Sequence, residues 1–196
     1  MRIPMADYVA GATFASDLVN TSPTVRADTG DALPDPAALA DLLAGHGLRP
    51  DALVDKGAPT DLDLHTIRLL RREVRGVVET ETAEQAVAGS GVLVARAGLA
   101  PVLDRTADGG WQWYVPTAPG ASLADELAAF VAVGLFGAVR ALGHERFRAC
   151  AGPDCRGVFV DTSRAGRRRY CLPDLCGNRV NVANHRARRQ RAGVAR

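Results

Sequence analysis

The residues best suited to chemistry in this sequence are its four cysteines, which lie in two matched pairs. Cys150 with Cys155 and Cys171 with Cys176 both have the spacing C-x4-C, and fifteen residues separate the two pairs. Structural zinc sites place four ligands in a tetrahedron, about 2.3 Å from each cysteine sulfur, and two short-range pairs can supply such a set. The pattern therefore predicts one structural Zn²⁺, because four thiolates leave no coordination position for a catalytic water.

The cysteines admit other interpretations. Two disulfides or four unrelated thiols are the structural alternatives, but clustered cysteines in a reducing compartment indicate metal more often than disulfides. A thiol or zinc redox sensor is the functional alternative, in which basic surroundings lower the thiol pKa values and oxidation ejects the metal. The segment has little apolar core of its own, so we expect metal binding to supply most of its folding free energy. Its main apolar residues are Val158, Phe159, Val160, Tyr170 and Leu172.

The segment around the cysteines is strongly basic. Residues 146–196 contain 13 arginines and three aspartates, a formal charge of +10, whereas residues 1–145 contain 11 basic and 19 acidic side chains, a charge of −8. A basic end on an acidic body is typical of a segment that binds a polyanion, and a solvated tail is the alternative. Arginine suits such binding because its planar fork binds phosphate or guanine bidentately and stays charged.

After the last cysteine the sequence predicts a helix, with Asn178 as its N-cap and Val180, Ala183 and Ala187 on the face that packs on the zinc site. The rest of its perimeter is cationic or amide, which suits a groove lined by phosphates. The arginines between the cysteine pairs would contact the nucleic-acid backbone without reading sequence, unless they form only a solvated loop. The predicted nucleic-acid-binding residues are Arg164, Arg167, Arg168, Arg169, Asn178, Arg179, Asn181, His185, Arg186, Arg188 and Arg189.

Helix signals recur before the basic segment. Asp35 and Pro36 are typical of a helix N-cap and first turn, and they predict a short helix closed by two glycines. Thr60 precedes acidic residues and then apolar residues at helical spacing, which predicts a long helix to about Glu84.

The segment from Gly89 to Pro116 predicts strands instead. Its runs VLVAR, PVLDR and WQWYV are β-branched or aromatic, so three antiparallel strands, or a hairpin with a third strand, are expected. Ser122 and Asp125 then form a capping-box pattern that opens an almost wholly apolar, central helix ending at Gly143. The predicted fold class is α+β: helices packed on a small antiparallel sheet, followed by a small, treble-clef-like zinc module with four cysteine ligands and a basic C-terminal helix.

The polar residues of positions 1–145 form no recognised catalytic pattern, and we expect no enzyme. The scattered candidates are Asp17, Asn20, Thr21, His46 and His65. The segment DLVNTS (17–22) would either line a ligand pocket or cap the end of a strand or helix. Alternation along a strand puts Trp111 and Trp113 on one face, for packing in the core or in a pocket.

Membrane insertion and export are not predicted. The longest apolar run, residues 127–139, has 13 residues, and a membrane span needs about 20. Residues 1–20 lack the apolar stretch of a signal peptide, so a cytoplasmic location is the default expectation.

The stretch CLPDLCGNR (171–179) resembles the CGNR zinc finger, whose tetrad stands here at 176–179. The resemblance extends upstream through the first cysteine pair and FVDTS (159–163), and downstream into ANHRARR (183–189). Asn181 and Tyr170 depart from it, since relatives often have lysine and tryptophan there. The rest of the chain resembles the ABATE domain through DLVNTS, LPDPAALADLLAGHGL, the two helices and the strands between them.

This resemblance implies a bacterial, stress-responsive transcriptional regulator, with an ABATE-like sensor domain over residues 1–145 and a CGNR-type finger over 146–196. It implies zinc ligation by Cys150, Cys155, Cys171 and Cys176, and a polar pair at Asn178 and Arg179. The expected partners are DNA, a small-molecule effector on the N-terminal domain and a second copy of the chain in a homodimer, with RNA as the alternative polymer. The sequence identifies neither the effector nor the operator.

Overall fold

Residues 1–26, 30–172 and 176 are described by the computed structural model of the chain. They form the predicted α+β fold, with five helices packed around two small antiparallel sheets. The helices are α1 (Tyr8–Asn20), α2 (Pro36–Gly45), α3 (Asp61–Val78), α4 (Ala83–Val94) and α5 (Leu123–Leu142). The strands are β1 (Arg2–Pro4), β2 (Val102–Arg105), β3 (Trp111–Pro116), β4 (Phe147–Ala149) and β5 (Val158–Val160).

Helix α5 forms the centre of the core, as its apolar sequence predicts. The Ser122 hydroxyl accepts a hydrogen bond from the Asp125 amide at the start of the helix, and Gly143 ends it with a φ of +86°. Helix α1 crosses α5 so closely that a Cβ on Gly134 would lie 2.5 Å from the backbone nitrogen of Ala12. The two backbones are in direct contact, which glycine permits because it has no side chain.

The segment predicted to hold three strands differs in the structure. Its first run, VLVAR, begins inside α4, and the predicted long helix is two helices: α3 ends at Val78, before the predicted end near Glu84, and Thr82 caps α4. Helix α4 also packs tightly on α3, because a Cβ on Gly89 would stand 2.8 Å from a side-chain atom of that helix. The third strand is β1, and the sheet order is β1–β3–β2.

The sheet packs on the helices through one of its faces. Ile3 of β1 lies opposite Val115 of β3, and both side chains are buried in the same core cluster as α5. The caps that were predicted for α2 and α3 are confirmed, since Asp35 and Thr60 accept hydrogen bonds from the first turns of those helices. No helix in the described part of the chain is long and apolar enough to cross a membrane.

Strands β4 and β5 form a separate hairpin that carries the first cysteine pair. Val158 and Val160 of β5 belong to the main core, whereas Phe159 between them packs against the cysteines. The hairpin therefore has one side on the larger domain and one side on the candidate metal centre.

Candidate metal centre

The first cysteine pair lies in the turn of the β4–β5 hairpin. The Cys150 amide donates a hydrogen bond to the Gly157 carbonyl at 2.8 Å and closes the hairpin. Within the turn, Asp154 has a φ of +59°, a left-handed conformation that reverses the chain before Cys155. The Cys155 amide then donates to the Gly152 carbonyl at 3.2 Å, so the turn holds both sulfurs on the same side of the hairpin.

The four cysteine sulfurs converge on one point. All four Sγ atoms lie within 4.8 Å of one another. Cys155 Sγ is 3.6 Å from Cys171 Sγ and 3.5 Å from Cys176 Sγ, and the last two are 3.7 Å apart. A zinc tetrahedron with bonds of about 2.3 Å has sulfur–sulfur edges of about 3.8 Å, whereas a disulfide bond is about 2.05 Å long. The spacing fits one tetrahedral Zn²⁺, and none of the four cysteines forms a disulfide.

Among the described residues, backbone amides donate hydrogen bonds to the sulfurs of Cys150 and Cys155. Cys150 Sγ accepts from the amides of Gly152 at 3.4 Å and Cys171 at 3.3 Å. Cys155 Sγ accepts from the Gly157 amide at 3.3 Å. Burial disfavours the thiolate of Cys150, but the amide donors outweigh that effect and hold the pKa of this thiol below its ordinary value.

In the second cysteine pair, the thiol pKa values are raised instead of lowered. Burial strongly raises the pKa of the Cys171 thiol, and neighbouring sulfurs raise it further. Burial also raises the pKa of Cys176 to about 11, where the hydrogen bond with Cys155 adds to the effect and the hydrogen bond with Cys171 opposes it. These thiols therefore keep their protons at neutral pH unless a cation replaces them. Zn²⁺ binding would release protons from this pair, so zinc affinity should fall as the pH falls.

Asp161 anchors the loop that follows β5. Its buried carboxylate accepts hydrogen bonds from the amide and hydroxyl of Ser163 and from the amide of Arg168, and it forms an ion pair with Arg148 at 3.2 Å. Burial tends to raise the pKa of Asp161, but these donors together hold it below its ordinary value. The ionised carboxylate thus fixes the loop between β5 and the second cysteine pair.

Four of the predicted nucleic-acid-binding residues lie in this described loop. Arg168 is turned inward: its Nε donates to the Tyr170 carbonyl at 3.0 Å, its terminal nitrogen donates to the Cys171 carbonyl, and its guanidinium lies 4.7 Å over the Phe159 ring. Arg168 therefore supports the second cysteine pair, a role that the sequence did not reveal. The three that are exposed are Arg164, Arg167 and Arg169.

The other predicted nucleic-acid contacts follow the last cysteine. Asn178, Arg179, Asn181, His185, Arg186, Arg188 and Arg189 lie outside the described residues, as does the predicted basic helix. Their role in binding stays a prediction.

Helix α1 contributes two side chains that bind the finger, a contact that was not among the predictions from the sequence. Asn20 Nδ2 donates to the Val158 carbonyl at 2.7 Å, and Asn20 Oδ1 accepts from the Val158 amide at 3.2 Å. Ser16 Oγ accepts from the Val160 amide at 2.9 Å. These bonds satisfy the backbone N–H and C=O groups on the edge of β5 that faces away from β4, where a further strand would otherwise pair. We call these two residues and the strand edge that they bind the α1–β5 clamp.

The segment DLVNTS is thus the end of a helix, the second of its two predicted roles. It lies beside the finger, because Val25 just after it packs in the same cluster as Phe159 and the cysteines. A signal for the clamp was present in the sequence: Ser16 and Asn20 are four residues apart, the spacing that places two polar side chains on one helix face.

The remaining polar candidates of the first 145 residues make contacts between elements. His46 Nε2 lies 3.2 Å from the Asp17 carboxylate, which joins α1 to the end of α2. The Thr21 hydroxyl accepts a hydrogen bond from Arg71 of α3 at 3.0 Å. His65 is exposed on α3.

An α+β domain joined to a hairpin that supplies two of the four cysteines in a tetrahedral site defines a zinc-finger protein with a larger N-terminal domain. Residues 12–141 match the ABATE family, described as "putative stress-induced transcription regulator", and residues 146–189 match the CGNR zinc finger. The chain therefore belongs to the ABATE family and carries a CGNR zinc finger with one structural Zn²⁺. No curated protein matches it. The domain boundary after residue 145 stays a prediction.

Proposed function

We propose that this protein is a transcription regulator whose zinc finger binds DNA and whose N-terminal domain senses an effector. The observation that carries the proposal is the loop anchored by Asp161, which leads to the second cysteine pair and exposes Arg164, Arg167 and Arg169. Phosphates attract these cations and repel the acidic residues 1–145, so the finger would face the DNA. The proposal includes no catalytic step, because four thiolates close the coordination sphere of the metal.

The first experiment links metal to DNA binding. Zinc content is measured for the whole chain and for the double variant Cys171→Ser/Cys176→Ser, and both are titrated against a labelled random duplex at two salt concentrations. We expect one zinc per chain in the wild type, and loss of both zinc and salt-sensitive binding in the variant. Equal duplex binding by both proteins would reduce the basic segment to a plain cationic tail and overturn the proposal.

A second experiment tests the arginine loop. A plot of log affinity against log salt concentration has a negative slope. Replacing Arg167 and Arg169 by Gln should reduce the magnitude of that slope by about 0.9 for each phosphate that the variant no longer neutralises. The matched control replaces Arg49 and Arg72, which are exposed on the N-terminal domain, and should leave the slope unchanged. Equal effects in the two double variants would show that net charge, and not the loop, determines binding.

The choice between DNA and RNA, and the number of chains on each binding site, are tested by separate measurements. Competition by duplex and single-stranded RNA distinguishes a DNA-binding finger from the RNA-binding alternative. A single small finger offers a limited interface, so we expect two chains on each specific site, as sedimentation with a duplex would show.

The burial of the cysteines argues against the redox-sensor alternative. Cys150, Cys171 and Cys176 are buried, and Cys155 is partly exposed, whereas redox-sensing thiols are typically accessible. We expect a small excess of peroxide to leave the zinc bound. Zinc release at that dose, together with loss of duplex binding, would favour the sensor.

A further inference from the structure

A large cleft opens in the N-terminal domain, and its lining residues all precede the hairpin of the metal centre in the sequence. Its volume is about 700 Å³, which is within the range of about 300 to 1,000 Å³ typical of small-molecule sites. It lies between one face of the β1–β3–β2 sheet, the end of α4 and the second half of α5. The lining side chains include Met5, Leu99, Trp111, Trp113, Phe136 and Arg140.

The cleft exists because the sheet packs on the helices at only one end. Val115 of β3 is 6% exposed, but Trp113 and Trp111, which precede it on the same face, are 52% and 62% exposed. Leu103, opposite Trp113 on β2, is 48% exposed. The two indoles therefore line a pocket and are not in the core, the other role that their alternation allowed.

The charged side chains described at the cleft are both arginines. Arg140, in the last turn of α5, is the one charged side chain that lines the cleft within the described residues. No ion pair joins it to an acid in that part of the chain. Arg105 stands at the edge, with its guanidinium 4.6 Å over the Trp111 ring. An anionic group would meet a cation here, whereas a cationic ligand would be repelled.

We propose that this cleft binds a small apolar monoanion, with the apolar body against Trp111 and Trp113 and the anionic group on Arg140. The indoles supply flat apolar area, and an arginine fork can bind a carboxylate bidentately. This site gives the sensing domain of the proposed function a ligand class, and its binding chemistry does not depend on whether the finger binds DNA.

The chain reports occupancy of the cleft directly, because its two tryptophans are Trp111 and Trp113. The zinc-loaded whole chain is titrated, without DNA, with decanoate and decyltrimethylammonium below their micelle concentrations and with decanol below its solubility limit, while tryptophan emission is recorded. We expect saturable binding of decanoate and roughly tenfold weaker binding of decanol, because a charged hydrogen bond is lost. The cation should bind more weakly than either.

Two variants with equal charge changes assign the effect to one residue. Arg140→Gln should lower decanoate affinity to that of decanol, and Arg72→Gln, on the exposed side of α3, should match the wild type. Both side chains are exposed, so we expect both variants to fold, which zinc content and circular dichroism would check. Equal binding of the three ligands, or an Arg140→Gln variant with wild-type selectivity, would overturn the proposal.

Self-association is the competing use of this surface. Sedimentation and iodide quenching of tryptophan are measured over a range of protein concentrations. We expect quenching to be independent of protein concentration and to fall when decanoate binds. A dimer that shields both indoles and blocks decanoate would show that a second copy of the chain fills the cleft, and would overturn the proposal. Ligand binding, sedimentation and tryptophan quenching are all measured without DNA. A failed duplex titration would therefore count against the DNA-binding proposal and not against this one.

Discussion

Gly157 lies where the hairpin, α1 and the metal centre meet. A Cβ at this position would overlap Cys171 Sγ and stand 2.8 Å from Asn20 Oδ1. We expect Gly157→Ala to weaken zinc binding roughly tenfold or more, because groups that orient metal ligands contribute that much to affinity. Competition with a chromophoric chelator measures the zinc affinity of the variant and of the wild type.

The control for that substitution is Gly76→Ala in α3, where an added Cβ has no described neighbour within 4 Å. It should keep wild-type zinc affinity and raise the free energy of unfolding by about 0.5–1 kcal/mol, because alanine stabilises a helix interior. If Gly157→Ala bound zinc as tightly as the wild type, the packing of β5 on the metal centre could not be as close as these contacts require.

Arg71 is a buried cation that depends on Asp31. Its two terminal nitrogens donate to the two carboxylate oxygens at 2.7 and 2.9 Å. Burial tends to raise the pKa of Asp31, but the bonds from Arg71 and from the Leu33 amide hold it below the ordinary value of 3.8. Because the pKa is lower in the folded state, the pair contributes its full stabilisation above the ordinary value and loses it as the pH falls through the folded one.

We therefore expect Asp31→Asn to lower the free energy of unfolding by about 2 kcal/mol at neutral pH, because it leaves Arg71 buried without its counter-ion. The difference from wild type should shrink as the pH falls below about 4. Urea unfolding at a series of pH values measures it, with Asp41→Asn on the exposed side of α2 as the control. A difference that did not change with pH would show that the charge of Asp31 is not what stabilises the fold.

At the scale of elements, the α1–β5 clamp is the contact that joins helix and hairpin. Replacing Ser16 and Asn20 by Ala would leave three buried backbone groups of β5 without partners. We expect this to cost about 3 kcal/mol and to speed amide exchange at residues 158–160, which hydrogen-exchange mass spectrometry measures.

The control stands on the same helix. Thr13 is in α1, and within the described residues its side chain makes one long hydrogen-bond contact, 3.5 Å to the hydroxyl of Thr162. Thr13→Ala should therefore leave exchange in β5 near the wild-type rate. If both variants exchanged alike, the clamp bonds would not be what holds β5.

Elements whose signals are local could be predicted from the sequence. Asp35, Thr60 and Ser122 each cap a helix through a bond to a residue three positions later, so short windows of sequence contain the whole interaction. The cysteine pairs are local in the same sense. Each C-x4-C motif separates its two cysteines by only four residues, and the predicted cluster of sulfurs is present.

Elements that depend on distant partners could not be predicted in this way. The three residues of β1 form a strand because they pair with β3, far along the chain. The run VLVAR has strand-forming residues, yet the cap at Thr82 and packing against α3 and α5 make its first three residues helical. The spacing of Ser16 and Asn20 indicates a polar helix face, but no local pattern identifies its partner, since the clamp joins Asn20 to Val158 across 138 positions.

For the molecule as a whole, the two predicted domains share one core. Val158 and Val160 of the hairpin are 4% and 0% exposed, and they pack in the cluster that contains α1, α3 and α5. Arg75 of α3 also donates to the Arg156 carbonyl at 2.7 Å. Docking on the larger domain therefore adds to the free energy that metal binding supplies to the finger.

We therefore expect the isolated segment 146–196 to bind Zn²⁺ at least about tenfold more weakly than the whole chain, because it must fold its hairpin without α1 and α3. Chelator competition on both proteins measures this, and a Cys171→Ser segment gives the background. Removing zinc from the whole chain should leave most of residues 1–145 protected from proteolysis, since the main core cluster contains no cysteine and only Val25 of their described buried residues packs against the cysteines. Equal zinc affinity in the segment and the whole chain would instead make the finger an independent domain that only rests on its neighbour.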